Sequence, residues 1–491
     1  MSSYSKVGDE KIRMPSHLKW IIAVLMLYFG LRLLFFALKI FPFVPPDEVT
    51  HFGVSQIFSK VFFLPVNSPE TYQYGLVTNV PWLYYWIMGK LLHLNFFGIS
   101  DLIFLRILNI PLAFGTVYYV WRTLRLLTDD RLSQILLIVV MTNTPMFSFL
   151  SAAVSYDNLT NLLAAMSIYY LLAFFNNRSG TSLALSIMCQ LAGALTKYTF
   201  LPLILILNVL LLIHEFRIFY LLPSAFKEWF RASWRRGVGL LLAIIIGLVL
   251  NILLYGGNYL RYGNLVPDMA KVLSPEIAMQ YRIEARGIIF TKFREGRISK
   301  GEAFEMAMSV NNSVGDAKTT VYLIDNYDYL VKSGAPIISP VAYIPLWIYT
   351  MYGSTFGIFA HLGMPNSVTK TWLFVSLSAL AGAAFLYRWR PKKSGWLPVY
   401  LAAITGCYAL ILMYAVNYAT YLEFRATGLT LQGRYLFPVI GPMYVLLSYY
   451  LLQLAKGSYV RLGIFTLASL IFIGSDFPYF LSFATPEWFA G

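Results

Sequence analysis

The chain is predicted to be an all-α polytopic membrane protein with about eleven transmembrane helices and a cytoplasmic N-terminus. Three observations point there. Of its 491 residues, 58% are hydrophobic and only 12% charged, roughly half the charge content of soluble domains. Apolar runs recur from Trp20 to Asp476. The Lys and Arg residues cluster in short stretches between those runs. A set of water-soluble globular domains is excluded. The net charge of +15 belongs to loops beside apolar spans, where it sets orientation and meets anionic headgroups, and no nucleic-acid motif accompanies it. Cys189 and Cys407 both lie in apolar stretches, which argues against a disulfide framework or a thiolate metal site.

The predicted apolar blocks are Trp20–Phe41, Leu102–Val120, Leu132–Ala153, Leu159–Phe175, Leu183–Leu195, Tyr198–Ile213, Val238–Leu254, Trp372–Tyr387, Leu397–Tyr414, Tyr435–Leu452 and Leu462–Gly474. The first is too long for a signal-peptide core and ends in Pro-Phe-Val-Pro-Pro, so it reads as a retained span. Arg122, Arg125 and Arg131, then Arg178, then Arg217 to Arg236, then Arg388 to Lys393, and finally Lys456 and Arg461 all fall on one side. That side is cytoplasmic. The pattern requires an even number of crossings between Arg178 and Arg217, so Leu183–Ile213 is a hairpin turning at Thr196-Lys197-Tyr198-Thr199. The aromatic-rich piece Val341–Met364 stays outside as interfacial or re-entrant helices.

This layout divides the chain into a transmembrane module over 1–256, carrying a first outer loop at 43–99, an outer loop and interfacial segment over 257–368, and transmembrane helices over 369–491. Within the first outer loop, Trp82–Leu94 reads as a helix lying on the membrane, and Tyr220–Arg236 as an amphipathic cytoplasmic helix on anionic lipid.

Candidate chemistry concentrates at outer span ends. Pro45-Pro46-Asp47-Glu48-Val49-Thr50-His51 places two adjacent carboxylates just past the first span, and a helical turn there sets Asp47 and His51 on one face. A half-desolvated carboxylate suits a general base; the alternative is a helix N-cap. Asp157, in Ser155-Tyr156-Asp157-Asn158, is a second outer acid with the same alternative. Asp47 and Asp157 are chemically able to share a divalent metal, but no ligand spacing demands one. Lys197, Arg261 and Arg434 are outer cations suited to a phosphate ligand, against the alternative of snorkelling to lipid. Gly433 lets a ligand or backbone approach Arg434 closely. Trp82, Tyr84 and Tyr85 are candidates for stacking on a sugar, although an interfacial aromatic belt explains them as well.

These motifs together resemble the GT-C superfamily of integral-membrane glycosyltransferases: Pro46-Asp47-Glu48 after span one, Pro81-Trp82-Leu83-Tyr84-Tyr85-Trp86 in the same loop, the Leu195–Thr199 hairpin tip and the late Gln432-Gly433-Arg434-Tyr435. The resemblance implies juxtamembrane helices in the first outer loop, a polyprenyl-phosphate-linked sugar donor and transfer with inversion. It implies Asp47 as general base, Glu48 in support and Asp157 at a second acidic site. Some relatives carry an Arg three residues after the first-loop Asp and a Lys before the Pro-aromatic motif. This chain has Thr50 and Asn79 there, which leaves His51, Lys197 or Arg434 to take over the phosphate contacts. The expected reaction moves one sugar to a cell-envelope glycan or lipid acceptor at the outer face of a bacterial inner membrane, with no certain cofactor. A transporter of lipid-linked sugars, or a ligase or polymerase of lipid-linked oligosaccharide, is the competing expectation.

Overall fold

The computed structural model describes residues 16–42, 44–215, 234–310, 314–359, 362–389 and 395–489. Among these residues it is all-helical apart from one two-residue antiparallel pair, Ile358–Phe359 with Leu362–Gly363, and an isolated bridge between Ile40 and Phe489. Among the described residues, eight helices are long and apolar enough to cross a membrane: Leu18–Lys39, Asp101–Leu127, Tyr156–Asn177, Gly237–Tyr262, Ser367–Arg388, Leu397–Phe424, Gly433–Leu452 and Ser458–Phe483. The protein is an integral membrane protein on this ground. Counting the bent pair Arg131–Thr142 and Pro145–Ser151 as one span makes nine, and Gly180–Thr196 and Tyr198–His214 are shorter apolar helices. The predicted amphipathic segment Tyr220–Arg236 lies, but for its last three residues, outside the described residues.

The expected single span Leu132–Ala153 is instead broken by 65°. Pro145 opens the second piece, and Thr144 before it is extended, at φ −91° and ψ 113°. Proline removes an amide donor and pushes its predecessor out of the helical region, which accounts for the break. Freed polar groups at the break are met by Arg32 of the first span. It donates to Asn143 Oδ1 at 3.0 Å and to the Thr142 carbonyl at 2.6 Å, and pairs with Asp476. Asp476 itself interrupts Ser458–Phe483 and also accepts from Ser148 Oγ at 3.0 Å. Two broken helices and the first span are thereby tied together inside the membrane, in keeping with the expectation that intramembrane charges are paired.

Helix Tyr156–Asn177 is central, with 78% of its most apolar stretch buried, whereas Gly237–Tyr262 has 11% buried and faces outward. The turn of the predicted hairpin falls at Lys197, between Gly180–Thr196 and Leu201–His214, and Asn208 donates across it to Gln190 Oε1 at 2.8 Å. In the 43–99 segment, helix Glu48–Ser59 packs on Leu83–Leu92 at Gly89, where a Cβ would lie 2.8 Å from the Ser55 carbonyl. The 257–368 segment carries short helices, and Arg282–Arg294, Lys300–Val310 and Val314–Lys332 share a small core of Ile289, Phe290, Ala303, Ala307, Leu323 and Ile324.

Candidate active site

Asp47 follows Pro45-Pro46 and precedes helix Glu48–Ser59 in the left-handed region, at φ 57°. Its side chain makes no cap hydrogen bond to that helix. The capping alternative therefore does not describe this carboxylate. Its Oδ1 accepts from Arg282 Nη2 and its Oδ2 from Arg434 Nη2, each at 2.6 Å. Burial alone would raise the Asp47 carboxyl, but the Arg434 guanidinium, with Arg282 behind it, outweighs that and holds it well below the usual carboxylate range.

Asp157 stands at the start of Tyr156–Asn177, which Ser155 caps by accepting from the Asp157 amide at 3.2 Å. The Asp157 carboxylate takes Lys197 Nζ at 2.5 Å on Oδ1, and its Oδ2 lies 3.6 Å from Arg434 Nη1. Lys197 lies over the rings of Tyr156 and Tyr435, 4.5 and 5.2 Å from their centroids. Lys197, Asp157, Arg434, Asp47 and Arg282 thus form an alternating row of five charges with one excess positive charge. They come from the hairpin tip, two apolar spans, the turn before helix Glu48–Ser59 and helix Arg282–Arg294.

The row borders a cavity of about 370 Å³, lined among others by Asp47, His51, Tyr85, Lys197, Tyr281 and Arg434. Asp268 and Glu284 line it too. His51 is buried; its amide donates to the Asp47 carbonyl at 3.0 Å, so the predicted shared face is present. Its Nδ1 lies 2.7 Å from the Tyr85 hydroxyl, and its Nε2 has no hydrogen-bond partner among the described residues. Burial pushes the imidazole down to about 4, against the pull of Asp47 and Asp157.

A histidine kept neutral by folding makes stability depend on pH in one direction. Above its ordinary value near 6.5 neither state is charged and nothing changes. Below that value the unfolded chain takes up the proton and the folded protein does not, so stability is lost as pH falls from about 6.5 towards 4, by at most about 3 kcal/mol. Thermal unfolding in detergent is expected to show this fall in the wild type and a shallower one in His51→Phe; equal slopes would contradict the assignment.

Gly433 does allow a close approach, and the approaching group is protein. Its amide donates to Ser354 Oγ at 2.7 Å, and a Cβ here would collide with Thr355 Oγ1 and lie 2.7 Å from the Met351 carbonyl. Helix Pro340–Tyr352 and the π-helical turn Gly353–Gly357 after it thus pack against the backbone just before Arg434. Gly433→Ala is expected to cost about 1–3 kcal/mol of stability through overpacking. A thermal midpoint unchanged in that variant would mean the contact gives way freely.

Other expected residues take different places. Glu48, expected beside Asp47 in catalysis, is fully buried beneath the cavity. It accepts from Arg106 Nε at 2.8 Å and the Val154 amide at 2.9 Å, because the left-handed turn at Asp47 points the neighbouring side chains apart. Arg261, expected on phosphate, is exposed on Gly257–Tyr262 and outside the cavity lining. Trp82 and Tyr84, expected to stack on sugar, are core residues; Trp82 packs on Phe63 and Tyr84 donates to Asn109 Oδ1 at 3.2 Å. Only Tyr85 of that trio lines the cavity. A shared divalent metal does not fit, since both carboxylates are interleaved with three cations and, among the described residues, no group of three His, Cys, Asp or Glu side chains converges. Arg282 and Tyr281 were not singled out by the sequence; they lie in a long segment of mixed charge with no local motif.

No family model and no curated protein matches the chain. Among solved structures, it is similar to the archaeal oligosaccharyltransferase AglB from Archaeoglobus fulgidus, in complex with an inhibitory peptide and a dolichol-phosphate. The identity is 14%, covering 97% of this chain and 57% of that one, with a TM-score of 0.45. It is also similar to ArnT from Cupriavidus metallidurans bound to undecaprenyl phosphate, at 13% identity, covering 88% of this chain and 77% of that one, with a TM-score of 0.35. The chain spans little more than half the length of AglB.

Proposed function

We propose that the protein is an inverting glycosyltransferase that moves a single sugar from a polyprenyl-phosphate donor to a cell-envelope glycan or lipid acceptor. In this reading the chain crosses a bacterial inner membrane eleven times, counting the bent pair as one span and each shorter apolar helix as another, and the cavity opens on the periplasmic side. The observation that carries the reading is the row of alternating charges along the cavity: a carboxylate beside buried cations, next to room for a sugar.

Arg434 and Lys197 hold the donor phosphate, with Asp157 orienting both. The acceptor hydroxyl oxygen attacks the anomeric carbon, its proton passes to Asp47, and the carbon–oxygen bond to phosphate breaks with its electron pair on the leaving phosphate. That anion needs no general acid, and stabilising it by fixed cations favours the transition state. Tyr85 and His51 line the sugar side, and Glu48 anchors the turn that aims Asp47.

Transport of lipid-linked sugars has one supporting observation, the intramembrane Arg32–Asp476 pair at two helix breaks, to which Lys370 adds a contact with the Ser475 carbonyl at 2.9 Å. Envelope glycans of a deletion strain, compared by mass spectrometry after complementation with wild type or Asp47→Asn, separate the readings. Loss of one sugar mass, restored only by wild type, is the expected result. Missing polymer would indicate a ligase or polymerase, and an unchanged profile would favour transport.

A further inference from the structure

Every strong anion-binding group at the cavity is already engaged by the protein's own carboxylates. Asp47 is the most exposed of these, at 31%, while Arg434 is 4% exposed. It presents one oxygen to each of two guanidiniums that come from separate elements, Arg282 on helix Arg282–Arg294 and Arg434 at a span end. Two oxygens of one anion bridging two arginines is the arrangement by which a phosphate is also bound. Nothing local to its own helix holds the side chain there, and the left-handed backbone at Asp47 is of the kind that persists when surroundings over-determine it. The charged and titratable groups facing Asp47 include Arg434, Arg282 and His51, with Tyr85, Tyr281 and Tyr435 around them.

We propose that Asp47 is a placeholder: in the empty protein its carboxylate occupies the anion position between Arg434 and Arg282, and a phosphate ester entering the cavity takes both guanidiniums and releases it. This rests on the transferase reading and deepens it. The ion-paired carboxylate is a poor proton acceptor; freed of its two arginines, it becomes a competent one. The base thus exists only when the donor's phosphate is in place, so donor binds before acceptor. Asp157 keeps its pair with Lys197 throughout, which leaves the ammonium's other donors for the phosphate, and continues to steady Arg434 from its other side.

The test is direct binding of farnesyl phosphate, and separately of inorganic phosphate, to purified full-length protein in non-ionic detergent by calorimetry. Asp47→Asn removes the competing anion and is expected to bind farnesyl phosphate about tenfold more tightly than wild type. Arg282→Gln is expected to bind it about tenfold more weakly. Elution as a single species and an unchanged thermal midpoint verify that each variant is folded, and Arg282→Lys provides a second variant that retains the charge. The same tightening with inorganic phosphate would assign the site to the phosphate group itself; tightening with farnesyl phosphate alone would assign it to a lipid headgroup. Either supports the placeholder. If wild type binds farnesyl phosphate and Asp47→Asn binds it no better, the placeholder is wrong while the transferase reading stands. If none of the proteins binds either phosphate, the transferase reading itself falls.

Discussion

Asp47→Asn is expected to lower sugar transfer by about 10²–10⁴-fold, the range by which a positioned general base contributes. The loss should fall on turnover, because Asn keeps the shape and leaves Arg434, Lys197 and Asp157 in place to hold the donor. It should not fall on stability, since Asp47 caps no helix, both it and Arg282 are part-exposed, and Arg434 keeps Asp157 beside it. Measured with purified protein, a rate within a few-fold of wild type would remove Asp47 from the proton-accepting role.

The adjacent carboxylate is expected to behave in the opposite way. Glu48→Gln leaves the Arg106 guanidinium buried without its counter-charge, and a broken buried pair costs about 3–5 kcal/mol. The same guanidinium also donates to the Ala37 and Ile40 carbonyls at 3.2 and 2.7 Å, and Glu48 accepts from the Val154 amide. One pair therefore joins the end of the first span, the start of the outer-loop helix, span Asp101–Leu127 and the turn leading to Asp157. Thermal unfolding in detergent should show a large drop for Glu48→Gln and Arg106→Met and almost none for Asp47→Asn. A Glu48→Gln protein of normal stability that had lost transfer would instead give Glu48 a chemical role.

The contrast between these neighbours explains what is legible in the sequence. Apolar runs report spans because hydropathy is local, and the hairpin tip at Lys197 follows from the placement of Arg178 and Arg217 on one side. The break at Pro145 is equally local in cause, but the apolar run Leu132–Ala153 continues through it and masks it in hydropathy. The burial of Trp82 and Tyr84 was not legible: the same ring serves a core or a sugar, and only packing decides. Nor was the division of labour between Asp47 and Glu48, which depends on one left-handed residue. Arg282 reaches Asp47 across 235 positions, and no spacing announces that pair. Arg32 was detectable, since a charge inside a span demands a partner, although its partner Asp476 lies 444 positions away.

The most direct test of the account supplies purified protein with a defined single-sugar polyprenyl phosphate and an envelope-glycan acceptor, and follows released polyprenyl phosphate together with the product's mass and anomeric configuration. Wild type is predicted to release one polyprenyl phosphate for each sugar added, with the anomeric centre inverted, and Asp47→Asn to release almost none. Transfer with retained configuration, or release by Asp47→Asn at the wild-type rate, would contradict it.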